Sequence, residues 1–279
     1  MVAKTLTPRR MTCLMAALVC GLWLAPQSQA GSVFLTGHDP DFHAIAGGNT
    51  AGAQHINQIA IGFVTDPAFN SYANGGITKF LFVESSISPP PGHVDGINGI
   101  IASGYTQGVD FEKHDASDLA TELGKLGTKY DALVVASDFG GILTQAELDI
   151  LDANSAGIIN FVNSGGGLYA MAEHDSGAGL TPNGGWFGFV PFVVTSAQLN
   201  QSESGFTVTA FGAGLGLVNG DVNGNASHNI FTSTGGMLVV DVDAAGDILS
   251  LATRSQIPEP TSLGLLAFAG LLLVRSRRS

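Results

Sequence analysis

The run Tyr130 to Ser137 (YDALVVAS) limits what this chain can fold into more than any other stretch. Its apolar residues follow one another without alternation, and a strand of that kind has to be covered on both faces. Such strands sit in parallel sheets with helices on either side, so the run predicts an α/β domain. The surrounding pattern agrees: Ser32 to Thr36, Lys79 to Val83, Asp110 to His114 and Leu168 to Ala172 read as further strands. Thr50 to Val64, His93 to Ala102 and Ser117 to Leu126 read as helices between them. Thr144-Gln145-Ala146-Glu147 is a capping box that opens a helix reaching about Asn163. Strands alternating with helices imply right-handed crossovers and a mostly parallel sheet flanked by helices. After Gly177 the pattern changes, and Phe206 to Phe211, Met237 to Val242 and Ile248 to Thr253 read as extra C-terminal β-strands, antiparallel to the rest. No repeat or long linker divides residues 31–256, which predicts one domain there.

The two ends follow different rules. Lys4, Arg9 and Arg10 precede a mostly apolar run from Met11 to Ala25, and Ser28-Gln29-Ala30 places small residues where a signal peptidase inspects the chain. Residues 1–30 therefore read as a secretory signal cut after Ala30, with the Sec translocon and signal peptidase as partners. An uncleaved anchor is the alternative, but the run is shorter than the ~20 residues that span a bilayer. A lipoprotein signal at Cys20 is a further alternative, disfavoured by the bulky Val19 before it.

At the other end Pro258-Glu259-Pro260 is followed by apolar Leu263 to Val274 and then by Arg275, Arg277 and Arg278. The apolar stretch is short for stable spanning, and the arginines would stay cytoplasmic by the positive-inside rule. The prolines would hold an extended handle at the outer face. Residues 257–279 resemble the PEP-CTERM sorting signal. That resemblance implies processing by an exosortase-like sorting enzyme and transient anchoring in the inner membrane. The implied destination is the cell surface or an exopolysaccharide matrix of the biofilm type. A simple tail anchor is the plainer alternative.

Charge and cysteine content exclude several functions for the body. Residues 31–257 keep five of the eleven basic residues (Lys79, Lys113, Lys125, Lys129 and Arg254) and all but one of the 23 acids. So negative a surface repels nucleic acid and attracts cations. Both cysteines, Cys13 and Cys20, lie in the N-terminal apolar run. Once that run is removed, disulfide, thiolate-metal and cysteine-nucleophile chemistry are all excluded.

Within the body, the strand ending in Ser137-Asp138, the helix start at Thr144 and the strand GGGLYAMAEH (165–174) resemble class I glutamine amidotransferase-like domains. The trehalose-utilisation-like relatives are the nearest within that group. The resemblance implies a flavodoxin-like, amidotransferase-like sheet. It also places a nucleophilic cysteine in the turn after the fifth strand, where this chain has Ala172-Glu173-His174. Glutamine hydrolysis therefore does not carry over.

Parallel α/β sheets bind ligands beyond the carboxyl ends of their strands. On that rim the first strand exits into Gly37-His38-Asp39-Pro40-Asp41-Phe42-His43, the third at His114-Asp115, the fourth at Asp138 and the fifth at Glu173-His174-Asp175. Imidazoles and carboxylates at such spacing suit Zn²⁺, Mn²⁺ or Fe²⁺, with His38, Asp41, His43, His174 and Asp175 as candidate ligands. Without a metal, His38, Asp39, Glu173 and His174 are the candidate catalytic acid/base residues. The plainer reading makes the aspartates turn or helix caps and the histidines partners of loop carbonyls.

Asp221, Asn223 and Asn225 match the first oxygen-ligand positions of a Ca²⁺ loop, but Ala226 replaces the required glycine and Thr232 the closing glutamate. A partial Ca²⁺ loop and an Asx/Gly turn are both open. Trp186 to Phe192 (WFGFVPF) reads either as an aromatic lip that stacks on sugar rings or as core packing. The triple glycine Gly165-Gly166-Gly167 precedes a strand, where a phosphate loop would not lie.

Two functions remain. One is a non-enzymatic surface or matrix protein that binds a carbohydrate or divalent cation. The other is a secreted hydrolase, metal-dependent or acid/base, using the His/Asp/Glu rim. Under both, deletion of residues 258–279 is expected to change where the protein accumulates or its final mass, as fractionation and intact-mass measurement would show.

Overall fold

The computed structural model describes residues 31–138, 140–173, 180–181, 185–199 and 205–254, which belong to one compact unit spanning 29–258. Ala30 and the rest of the expected secretory signal lie outside the described residues, as do Pro258, Glu259, Pro260, Arg275, Arg277 and Arg278 of the sorting segment. So do the rim residues His174 and Asp175.

Five short parallel strands form the core of the sheet: β1 (Ser32–Thr36), β2 (Phe80–Val83), β3 (Phe111–His114), β4 (Ala132–Val135) and β5 (Gly167–Ala170). They stand in the order β3-β2-β4-β5-β1. Counted from β2, the first four follow the 2-1-3-4 order of a doubly wound sheet, and β1, first in the chain, takes the fifth place. Every residue of β1, β2, β4 and β5 is buried, as the apolar run Tyr130 to Ser137 requires. The α/β class, the parallel core and the added C-terminal strands are as expected.

The helices that cover the core are α1 (Pro40–His43), α2 (Thr50–Thr65), α3 (Ser71–Asn74), α4 (Gly96–Ala102), α5 (Leu119–Leu123), α6 (Gln145–Ala153) and α7 (Ser155–Asn163). Asn49 caps α2 by accepting from Gly52 N at 3.0 Å, and the helix turns Ile56, Ala60, Ile61 and Val64 inward. Tyr169 packs edge-on against Phe34 with ring centroids 5.7 Å apart, and its hydroxyl donates to Asn57 Oδ1 at 3.1 Å. Asn57 in turn donates to Pro40 O at 3.0 Å, so one buried amide ties α2, β5 and α1 together.

The remaining strands extend the same sheet. β6 (Thr195–Gln198), β7 (Thr207–Val208), β8 (Asn229–Ser233), β9 (Leu238–Val242) and β10 (Ile248–Arg254) all pair antiparallel. β10 joins them to the core by lying against β1, with Ser32 opposite Arg254 and Thr36 opposite Ser250.

Two expectations are corrected. The helix from Thr144 to Asn163 is two helices, broken at Asn154, whose amide side chain donates to Ile150 O at 2.8 Å and competes with the backbone ladder. Phe206 to Phe211 is a strand only at Thr207–Val208. Thr209 then accepts from Gly212 N at 3.1 Å and opens α8 (Ala210–Leu215), which α9 (Asn219–Val222) follows. Leu133 lies fully buried at the centre of β4. Leu133→Ala is expected to cost about 2–5 kcal/mol, read from the urea midpoint of unfolding.

Candidate functional site

The strand order reverses between β2 and β4, and in doubly wound sheets that switch point is where ligands bind. Among the described residues, Asp41 occupies it. Pro40 starts α1 and turns Asp41 inward, and the Asp41 carboxylate accepts from Ser137 N at 2.9 Å and from Ser137 Oγ at 2.6 Å. Three glycines make room for it. A Cβ on Gly96 would lie 2.7 Å from Asp41 Oδ2, one on Gly141 would overlap that same oxygen, and one on Gly99 would overlap the Asp41 carbonyl. Glu84, at the end of β2, accepts from Gly96 N and from Ile97 N (3.0 Å) at the start of α4. Burial, reinforced by the Asp41 charge, pushes Glu84 up to about 7. Burial likewise raises Asp41 above its ordinary value, against the pull of its hydrogen bonds from Ser137.

The neighbouring rim residues join the core to the C-terminal strands. Asp39 precedes α1 but makes no side-chain cap. Its fully buried carboxylate lies 3.3 Å from His43 Nε2 on one side and 3.3 Å from His228 Nε2 on the other. Burial pushes its pKa well above the usual carboxylate range. His38 turns the other way, its Nε2 2.7 Å from Asp241 Oδ2 in β9. Burial opposes the imidazolium, but the Asp241 carboxylate, joined by the Ala226 backbone and the Asp39 carboxyl, lifts His38 above its ordinary value.

Glu173 lies three residues beyond β5 and is fully buried. Its Oε2 accepts from Phe187 N at 2.6 Å, and its Oε1 has no hydrogen-bond partner among the described residues. Burial, with the nearby charges of Asp152 and Asp138, pushes it up to about 8. Phe187 has φ 58°, the one positive φ outside glycine among the described residues, so the bond to Glu173 holds a strained turn. Glu173 and His38 stand at the ends of adjacent segments, Ala172 N donating to His38 O at 3.2 Å, yet each side chain is committed to a different partner.

The aromatic run after Glu173 divides. Phe187 and Phe189 are buried in the core, and Phe187 also borders a groove of about 500 Å³ that Trp186, Pro191 and Phe192 line with Ile159, Thr195 and Ser196. The core-packing reading holds for Phe187 and Phe189, and Trp186 and Phe192 stand at the groove where an aromatic lip would lie.

The other expected sites are struts. Asp221 Oδ2 pairs with His55 Nδ1 at 2.9 Å, Asn223 Oδ1 accepts from Phe206 N at 3.0 Å, and Asn225 Oδ1 accepts from Asn49 N at 2.7 Å. Their oxygens face three different partners. The described members of the expected metal set likewise turn to separate partners: His38 to Asp241, Asp41 to Ser137, and His43 Nδ1 lies 3.1 Å from Ala46 O. Among the described residues one His/carboxylate group, His114 with Asp118 and Glu122, brings candidate ligand atoms within 4.8 Å of one another. Ammonium groups already serve it. Lys125 bonds Glu122, and Lys129 lies 2.6 Å from Glu112 and 3.3 Å from Glu122. Against the cost of burial, hydrogen bonds from Lys125, Tyr130 and Lys129 draw Glu122 down to about 2.

The sequence reading missed His228, Asp241, Glu84 and Ser137 as members of the rim. An acid inside the apolar run LVVDV (238–242) was a readable sign of a buried partner. Comparison with protein-family models, with curated proteins and with solved structures finds no match to this chain.

Glu173 has a definite pH signature. Its folded state keeps a proton that the unfolded chain releases near the ordinary glutamate value, so its contribution to stability is complete at acid pH and is withdrawn as pH rises to about 8. Glu173→Gln, which keeps an acceptor for Phe187 N–H, is expected to flatten that decline and raise the Tm at pH 8. Thermal unfolding from pH 4 to 9 reads both effects.

Proposed function

We propose that this chain is an exported, exosortase-processed protein of the cell surface or exopolysaccharide matrix, and that its α/β body binds rather than catalyses. The observation that carries the reading is the filled switch point. Asp41, from the chain itself, takes the donors that a ligand would need there, and three glycines fit the fold around it. A groove open to a ligand among the described residues lies beside Trp186 and Phe192. Flat apolar rings next to the hydroxyls of Thr195 and Ser196 suit the apolar face and polar edge of a sugar ring. The secretory and sorting segments supply the address, and the acidic body keeps the protein clear of nucleic acid.

A second reading keeps the body as a secreted hydrolase. What favours it is Glu173, an acid that holds its proton near neutrality at the carboxyl end of β5, beside a strained turn. The two readings separate cleanly. Electrophoresis of the protein through gels loaded with exopolysaccharide is expected to show retardation. Trp186→Ala or Phe192→Ala should weaken it on the order of tenfold, the loss of about one stacking contact. Polysaccharide cleavage that disappears in Glu173→Gln would favour the hydrolase, and mobility unaffected by the groove substitutions would remove the binding reading.

A further inference from the structure

Gly31, the first residue of the described body, is clamped. Its amide N–H donates to Val162 O at 2.9 Å, in the last turn of α7, where Gly165 N also donates at 2.9 Å. A Cβ on Gly31 would overlap the Gly166 carbonyl oxygen and lie 2.7 Å from that of Val162, so only glycine lets the backbone come this close. The nitrogen of Gly31 therefore faces acceptor oxygens at the carboxyl end of a nine-residue helix, the end that carries partial negative charge and favours a cation.

We propose that the Ala30–Gly31 peptide bond is the processed bond, and that the α-ammonium freed there is a built-in cap of α7. The inference rests on the export reading, takes the cut after Ala30 from it, and adds the task of the amine freed there. Signal peptidase adds one water across the bond. The C–N bond breaks, Ala30 leaves as a carboxylate on the released segment, and Gly31 N takes up protons to become an ammonium. One N–H continues the bond to Val162 O, and the new positive charge meets the helix end. Cleavage one residue later would remove that bond, and cleavage earlier would leave a neutral amide in its place. The charged side chains on flanking elements are Arg254, opposite Ser32 and paired with Asp66 at 2.9 Å, and Asp131 just before β4, pushed up to about 7 by burial. Both are the same in the processed and blocked forms compared below.

The test uses the full chain, produced with its own signal in a Gram-negative host and recovered from the periplasm. Intact mass and N-terminal sequencing are expected to give a chain that starts at Gly31. The α-amine is then selectively acetylated below neutrality, where lysines stay protonated, and the two forms are melted from pH 6 to 10. The free-amine form should melt about 2–4 °C higher below pH 7. The gap should close as pH rises through the ammonium's folded value, which lies above its ordinary ~8. The sign follows from a raised value on a cationic group, whose stabilisation is present at low pH and lost on deprotonation. A chain that stays unprocessed would sink the export reading together with this proposal. A start elsewhere than Gly31, or equal melting of the two forms at every pH, would overturn the proposal and leave export standing.

Discussion

A carboxylate taken out of water needs donors arranged around it, and the architecture of this domain follows from where Asp41 finds them. Ser137 supplies a backbone N–H and a hydroxyl, and both sit at the carboxyl end of β4 beside the switch point. Accepting them draws the segment after β1 across the rim of the sheet. Gly96, Gly99 and Gly141 let two loops and a helix close around it. With Asp41 pinned, the residues on either side of Pro40 are pinned as well. Asp39 meets His43 and His228, and His38 pairs with Asp241, so side-chain contacts as well as β10 fasten the C-terminal strands to the parallel core. Burial raises Asp39, Asp41, Glu84 and Glu173 together.

The parallel core was legible because its strands are continuous apolar runs, a pattern few other structures tolerate. The break at Asn154 was not, since it depends on whether one amide bonds a backbone carbonyl or water. β6 (TSAQ) and β8 (NIFTS) carry mixed, partly exposed residues, so neither gives a clean period. Among the rim residues, His38, Asp39, Asp41 and Glu173 could be placed from strand ends alone. Their partners could not, because Asp241 and His228 reach them only through the antiparallel extension, and its strand order is not written in periodicity. The spacing of Asp221, Asn223 and Asn225 imitates a cation loop, yet the same side chains serve equally well as hydrogen-bonding struts.

The aromatic segment shows how one short run can have two tasks. Glu173 bonds Phe187 in its left-handed turn; Phe187 and Phe189 are buried in the core, and Phe187 borders the groove with Trp186 and Phe192. Core packing and the groove wall are thus coupled through a single buried carboxyl, which also touches the strained residue between them.

The pairing of Ser32 with Arg254 has a mechanical side. The described residues begin on β1 and end on β10, two neighbouring strands that run in opposite directions, so Ser32 and Arg254 lie at the same margin. Tension applied between them would part the two strands like a zipper, loading one pair of hydrogen bonds at a time. Anything that drags on both ends at once would open the domain at its seam, whereas a pull on either end alone would leave that seam unloaded.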